Sequence, residues 1–391
     1  YRAPGVTNAS FAVETIVDEI CEKIGMDPIA FHEKNGIKVG DRKSDGTPMS
    51  GTIGLMEVLE AGKNSDHYKT PLVGKYRGRG VAAGGWHTGG GDASCVLAVN
   101  ADGTVGMAIG TVDIGGHRAV VAMQAAEVLG IPAEDVHIWY ANTDSVGFSA
   151  LTAGSSTTFK AGGAAYDAAQ AVKQQLIERA AKIWETTPDN VEYSDAVLRR
   201  KGDAGLSMTF KELAGKLSTT GGAIASSAQN RRLGGAGGET FCLHIADVEV
   251  DPETGKVEIL RYTAIHDVGQ AIHPSYVEGQ IQGGAVQGIG WALNEEYYYN
   301  QQGVMTNSSL LDYRMPTSLD LPMIDAVMVE VPNPNHPFGV KGIGEPTIIP
   351  PPAAIANAIY RAIGVRMQVL PMSPGRILEA LQAKENRGST D

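Results

Sequence analysis

The stretch 93–110, ASCVLAVNADGTVGMAIG, decides the fold class. Two apolar runs, 93–99 and 104–110, flank the turn Asn100-Ala101-Asp102-Gly103, which is the pattern of a β-hairpin. A second ribbon follows: FCLHIADVEVD from 241, the turn DPETGK, then VEILRYTAIHDV to 268. Helical spacing surrounds these strands. Phe11, Ile16, Ile20 and Ile24 recur over 8–24 before Gly25, and further helices are predicted at 118–129, about 163–186, about 275–297 and about 350–362. Strands are expected at 135–140 and 324–331, and a hairpin around Gln302-Gly303. Residues 36–76 read as a polar connector, 149–163 as a loop, and 203–238 as a short helix followed by a Gly/Ala/Ser-rich run. Hairpins interspersed with packed helices give an α+β class with mixed sheets, not a doubly wound nucleotide fold.

At 391 residues, with 43% hydrophobic and 19% charged, the chain has material for a buried core of two to three domains. A net charge of −12 disfavours nucleic acid or an anionic membrane surface as the main partner. No apolar run approaches the ~20 residues that span a bilayer. Cys21, Cys95 and Cys242 are scattered, so the chain can form neither an iron–sulfur nor a thiolate zinc site of its own. That usage fits a reducing compartment, and we expect the cytoplasm. The nine histidines show no metal-binding spacing. The chain opens at Tyr1 without a signal-like segment and reads as a fragment, a processed chain or one piece of a divided polypeptide.

Much of the glycine lies in a few loops. Arg2-Ala3-Pro4-Gly5, Asp113-Ile114-Gly115-Gly116-His117 and Ala153-Gly154-Ser155-Ser156-Thr157-Thr158 each precede a helix, where small residues expose N–H groups to an anion. The hydroxyl run reads either as ligand contacts or as ordinary helix capping. Gln280, Gln282 and Gln287 stand among glycines, which suits a buried polar ligand or a close helix contact. The fourth loop is GVKGIGEP, 339–346. Its glycines permit positive φ, and Pro346 should push Glu345 toward extended geometry. Such a loop can aim one acid into a cavity, or simply turn with its glutamate in water. GRGVAAG at 78–84 lacks a strand–loop–helix setting for a dinucleotide, and neither a P-loop nor a G-x-S-x-G elbow occurs.

Taken in order, YRAPG with FAVE, DEI and GMDP, then DVGQAIHP, EGQIQGGAVQGIGWALNEE, and GVKGIGEP with AIANAI resemble the molybdopterin-binding part of the xanthine dehydrogenase family of molybdenum hydroxylases. The resemblance covers nearly the whole chain. It implies that 1–75 is the end of a first molybdopterin-binding domain plus connector, and 76–391 the second. It makes Glu345 the general base beside the molybdenum, with Gly342 in the same loop. Arg2 and Ala3 pass near the metal, Gly154, Ser155, Ser156 and Thr157 contact the dithiolene and pterin, and Gln280 hydrogen-bonds the pterin. The family usually has Gly-Gln-Gly where this chain has Gly115, Gly116 and His117, one residue shorter, so His117 or a backbone N–H stands in for the glutamine. Pro4, Trp86 and His87 fall where the family contacts substrate, within a divergent GGWHTGGGDAS. The pterin dithiolene holds the metal, and no protein side chain does.

The implied cofactor is molybdenum-molybdopterin, in the cytosine dinucleotide form, with 2Fe-2S clusters and FAD on partner chains. The implied reaction hydroxylates an electron-poor carbon with oxygen from water. An N-heterocycle or an aldehyde is expected. A reductive reaction on an aromatic thioester and a non-catalytic scaffold are the alternatives. Carbon monoxide ranks low because no cysteine lies in the four loops. Tyr1 to about Gly5 should meet a polypeptide carrying the first half of the cofactor domain, without which the chain should not turn over with a physiological acceptor.

Overall fold

The computed structural model of the chain describes residues 1–43, 45–49, 52–140, 142–230 and 237–388. Its first sheet has the order β1 (Arg77–His87), β9 (Glu239–Val250), β10 (Val257–Asp267), β11 (Ile324–Val329). β9 and β10 are the ribbon expected from sequence, β1 pairs antiparallel to β9, and β11 runs parallel to β10. β1 contains the GRGVAAG run. A Cβ at Gly78 or Gly80 would collide with the carbonyls of Ala358 or Ala354 on α10 (Pro351–Ile363), so these glycines let a helix backbone lie directly on the strand.

One face of this sheet packs on α10 and α9 (Pro274–Leu293) through Tyr262, Ile281 and Ile359. The other packs Leu243, Ile245 and Ile265 on Ile29 of α2 (Pro28–Asn35) and on Val58 and Leu59 of α3 (Leu55–Asn64). The expected connector therefore contains α3 and the short α4 (Asp66–Lys69), because an apolar stripe of the 10-residue α3 sits inside polar surroundings; residues 44, 50 and 51 lie outside the described set. α1 (Val6–Ile24) lies on α10, where Asp18 accepts from Arg361 at 2.9 Å and Arg366 at 2.5 Å. The 1–75 segment thus shares its core with 76–391.

The second sheet has the order β4 (Val136–Tyr140), β3 (Val105–Ile109), β2 (Ala93–Val99), β8 (Ala225–Asn230). β2 and β3 are the opening hairpin, in the register Cys95 to Ile109 and Val99 to Val105. α5 (His117–Leu129) and α6 (Thr157–Ile183) pack on it through a run of buried alanines. β8 lies in the Gly/Ala/Ser-rich run, of which 231–236 fall outside the described residues. A small antiparallel sheet of β5 (Val191–Ser194), β6 (Val197–Arg200) and β7 (Asp203–Thr209) leads into α7 (Phe210–Ala214) and α8 (Leu217–Thr220). The expected hairpin near 302 reduces to one bridge between Tyr299 and Met305, and α11 (Pro374–Gly388) closes the described chain. The fold is α+β. Among the described residues no helix is long and apolar enough to cross a membrane.

Candidate active site

A cavity of about 540 Å³ opens on the seam between the two larger sheets. Arg2, Gly115, His117, Ser155, Ser156, Thr157, Gln280, Gly342 and Glu345 all line it, so segments far apart in sequence converge there.

Glu345 is held by two of those segments. Its Oε1 accepts the Ala3 N–H at 3.2 Å, and its Oε2 accepts the Ser155 hydroxyl at 3.2 Å. The same hydroxyl accepts the Glu345 N–H at 3.0 Å. Both donors sit in the left-handed region, Ala3 at φ 46° and Ser155 at φ 54°, which is costly for residues with a Cβ. Glu345 itself is helical, at φ −106° and ψ −35°, and not extended as its place before proline predicts. Anchoring both its N–H and its carboxylate on Ser155, and opening the 3-10 turn Pro346–Ile348, outweighs the preference set by Pro346.

The rest of the loop is tied down by contacts away from Glu345. Of its three glycines only Gly339 has positive φ, at 66°. Gly342 is needed for proximity: a Cβ there would collide with the Ser155 carbonyl. The Gly342 N–H donates to Thr88 Oγ1 at 2.7 Å, and its carbonyl accepts from Thr240 Oγ1 at 3.1 Å. Lys341 reaches Asp267 at the end of β10, 2.6 Å away, with both side chains fully buried. Desolvation raises the Asp267 carboxyl despite that ammonium. Arg2 donates to Thr347 Oγ1 at 3.4 Å, and burial lowers its guanidinium while the Tyr1 and Glu345 charges oppose that fall.

Three helices begin at this cavity. The hydroxyl of Ser156, the N-cap of α6, donates to the Ala153 carbonyl at 2.7 Å and caps no N–H. α9 has no side-chain cap, and neither helix has an acid in its first turn. On α5 only Asp113 answers, accepting the Arg118 N–H at 3.2 Å. The positive ends of these helix dipoles are left for a ligand. Lys160 is buried on α6 and holds the entering loop by the carbonyls of Ala150 and Leu151, at 2.9 and 2.6 Å. Burial draws the Lys160 ammonium down from its ordinary value.

His117 is drawn down to about 4 by burial, against the pull of Asp113, and its Nε2 is buried without a partner. Gly115 lies against the Gln280 amide, 3.2 Å from where a Cβ would stand, and Gly116 against the Tyr276 ring. Gly154, at φ 63°, accepts the Gly89 N–H at 2.6 Å. Trp86 packs in a small apolar cluster with Ala3, Ile348 and Ile349, its indole N–H unpartnered, and the exposed His87 stacks on it at 4.8 Å. Neither Trp86, His87 nor Pro4 lines the main cavity; Pro4 borders a second one across the opening segment.

His273 and Tyr276, stacked at 3.9 Å, and Gln287 also line the main cavity. Sequence reasoning singled out Gln287 but not the stacked pair, whose signal is the AIHPSY run entering α9. Gln282 turns away, donating to Glu278 and to the Ile324 carbonyl. Gly284 and Gly288 serve close packing, on Thr347 and Pro351.

The family described as molybdopterin cofactor-binding domain matches residues 56–322. The xanthine dehydrogenase molybdenum-binding subunit of Escherichia coli O157:H7 is 33% identical over 97% of this chain and 52% of its own length. The nicotine 6-hydroxylase large subunit of Paenarthrobacter nicotinovorans is 28% identical over 97% of this chain and 50% of its own. Among solved structures, quinoline 2-oxidoreductase from Pseudomonas putida 86 superposes with a TM-score of 0.88 at 26% identity, covering 98% of this chain and 53% of that one. The chain spans about half the length of the curated relatives it matches. The domain match takes in the second sheet, the first sheet except β11 and the three helix N-termini that face the cavity, and on it this chain belongs to the xanthine dehydrogenase-type family of molybdopterin cofactor-binding domains.

Proposed function

We propose that this chain supplies the base-bearing wall of a molybdenum hydroxylase site, where Glu345 accepts a proton as an electron-poor carbon is hydroxylated with oxygen from water. The observation that carries the reading is the fixed carboxylate: Ala3 and Ser155, from two other segments, hold Glu345 at the cavity from left-handed backbone conformations.

The residues present fit a molybdenum-pterin group. Weakly capped N-termini of α5, α6 and α9 suit phosphate oxygens, and the unpartnered His117 Nε2 and the Gln280 and Gln287 amides suit a polar heterocycle. When bound, such a cofactor supplies Lewis acidity and takes up two electrons. The chain supplies the rest. The Ala3 N–H and Ser155 hydroxyl fix which Glu345 lone pairs point inward. Gly342, packed on Ser155, keeps the two loops in register.

The relatives' names include xanthine, nicotine and quinoline, so we take an N-heterocycle as the substrate class, with an aldehyde second. The cofactor is taken to be the cytosine dinucleotide form. 2Fe-2S and FAD chains, and a polypeptide carrying the first half of the cofactor domain against Tyr1 to Gly5, complete the complex in the cytoplasm. The test is molybdenum and pterin-nucleotide analysis of the purified complex, followed by turnover of N-heterocycles and aldehydes with an artificial electron acceptor. Stoichiometric molybdenum with heterocycle-dependent reduction is expected; a metal-loaded complex inert to both classes would overturn the reading.

A further inference from the structure

Lys160 breaks two local rules at once. It stands in the first turn of α6, where a cation opposes the helix dipole, and its side chain is fully buried. Among the described residues no carboxylate pairs with it. An apolar side chain of the same length would pack there without the cost of an unpaired buried charge. What the ammonium does hold is backbone. It donates to the carbonyls of Ala150 and Leu151, ten and nine residues back along the chain, and so ties the first turn of α6 to the start of the loop that enters it.

Ser155 lies inside that closed loop. Between the tie and the helix, the Ser156 N–H and hydroxyl both go to the Ala153 carbonyl, at 3.3 and 2.7 Å, and the Gly89 N–H reaches the Gly154 carbonyl at 2.6 Å. Ser155 stays at φ 54° in the middle, and such a conformation persists only where its surroundings over-determine it. The Ser155 hydroxyl in turn accepts the Glu345 N–H and donates to the Glu345 carboxylate. Lys160 does not line the main cavity, so its part is indirect. We propose that Lys160 is a positioning residue for Glu345: its ammonium closes the 150–156 loop, the closed loop holds Ser155 in its left-handed conformation, and Ser155 orients the carboxylate. The inference rests on the reading of Glu345 as the base.

The test is Lys160→Met in the purified complex, with Ser155→Ala and the double variant beside it. Backbone amide exchange should speed up in 150–156 and at Glu345, and stay at the wild-type rate in β9 and β10. Turnover with an artificial electron acceptor should fall by about tenfold or more while KM moves by less than about twofold, because a displaced base slows the chemical step alone. In the Ser155→Ala background Lys160→Met should lower turnover little further, since the two act along one line of contacts. Unchanged exchange at Glu345, or losses of turnover that multiply in the double variant, would overturn the assignment. Glu345→Gln separates this failure from that of the base itself. If Glu345→Gln is inactive and Lys160→Met turns over at the wild-type rate, only the positioning role falls. If Glu345→Gln turns over normally, the base reading falls, and amide exchange at Glu345 still decides whether Lys160 holds it.

Discussion

Ser155 and Glu345, on loops from different layers of the fold, hold each other twice. The serine oxygen accepts the glutamate N–H at 3.0 Å and its proton goes to Glu345 Oε2 at 3.2 Å. Ser155 does this at φ 54°, where a side chain is strained. Ser155→Gly should therefore be more stable than Ser155→Ala by about 1 kcal/mol, although both lose the hydroxyl. Urea melts of the two variants check this, and an alanine variant as stable as the glycine one would contradict the strain.

Glu345→Gln keeps the size of the side chain but cannot take a proton. Turnover should fall by about 10²–10⁴ while molybdenum content stays at the wild-type level. Near-wild-type rates at full metal occupancy would remove Glu345 from the chemistry.

Lys341→Met strands the Asp267 carboxylate, whose side chain is as fully buried as that of Lys341. Breaking one partner of such a pair costs about 3–5 kcal/mol, whereas replacing both by apolar groups is far milder. Equilibrium unfolding of Lys341→Met and of the double variant Lys341→Met/Asp267→Leu should show the double variant recovering most of the loss. A single variant within about 1 kcal/mol of wild type would mean that the pair does not anchor the loop.

His117 sets an acid limit on the cofactor-free protein. Its folded value, about 4, lies below the ordinary histidine value of 6.5, so the unfolded chain takes up the proton first as pH falls. The stability it contributes is full above 6.5 and is lost as the pH falls toward about 4. Melting temperatures at both ends of that window should differ less in His117→Asn than in wild type. An identical acid dependence would place the loss elsewhere, with buried His244 and His266, also held down by burial, as the next sites to alter.

Much of this fold was legible because its hairpins alternate and turn where glycine and aspartate say they do; β2–β3 and β9–β10 are the cases. β1 was hidden because Gly78 and Gly80 resemble a loop until α10 is laid on them. Two strands of the third sheet, β5 and β6, were hidden by their shortness. α3 was masked by the polar sequence around it. At the site, residues of the three loops and Glu345 converge on one cavity, although residue type alone left helix capping and an exposed turn open. The His273–Tyr276 stack could not be read, since aromatic residues at a helix start look like core. The reversal of Glu345 into helical geometry is a tertiary effect that no dipeptide rule contains.

The placement of the main cavity on the seam between two sheets has a thermodynamic consequence. Each sheet has its own apolar core, so without a ligand the two can come apart at different denaturant concentrations. A molecule that touches α5 and α6 on one side and α9 and the Glu345 loop on the other binds only when both are seated. Its binding free energy then becomes a coupling term between them, and loading should merge two unfolding transitions into one cooperative step.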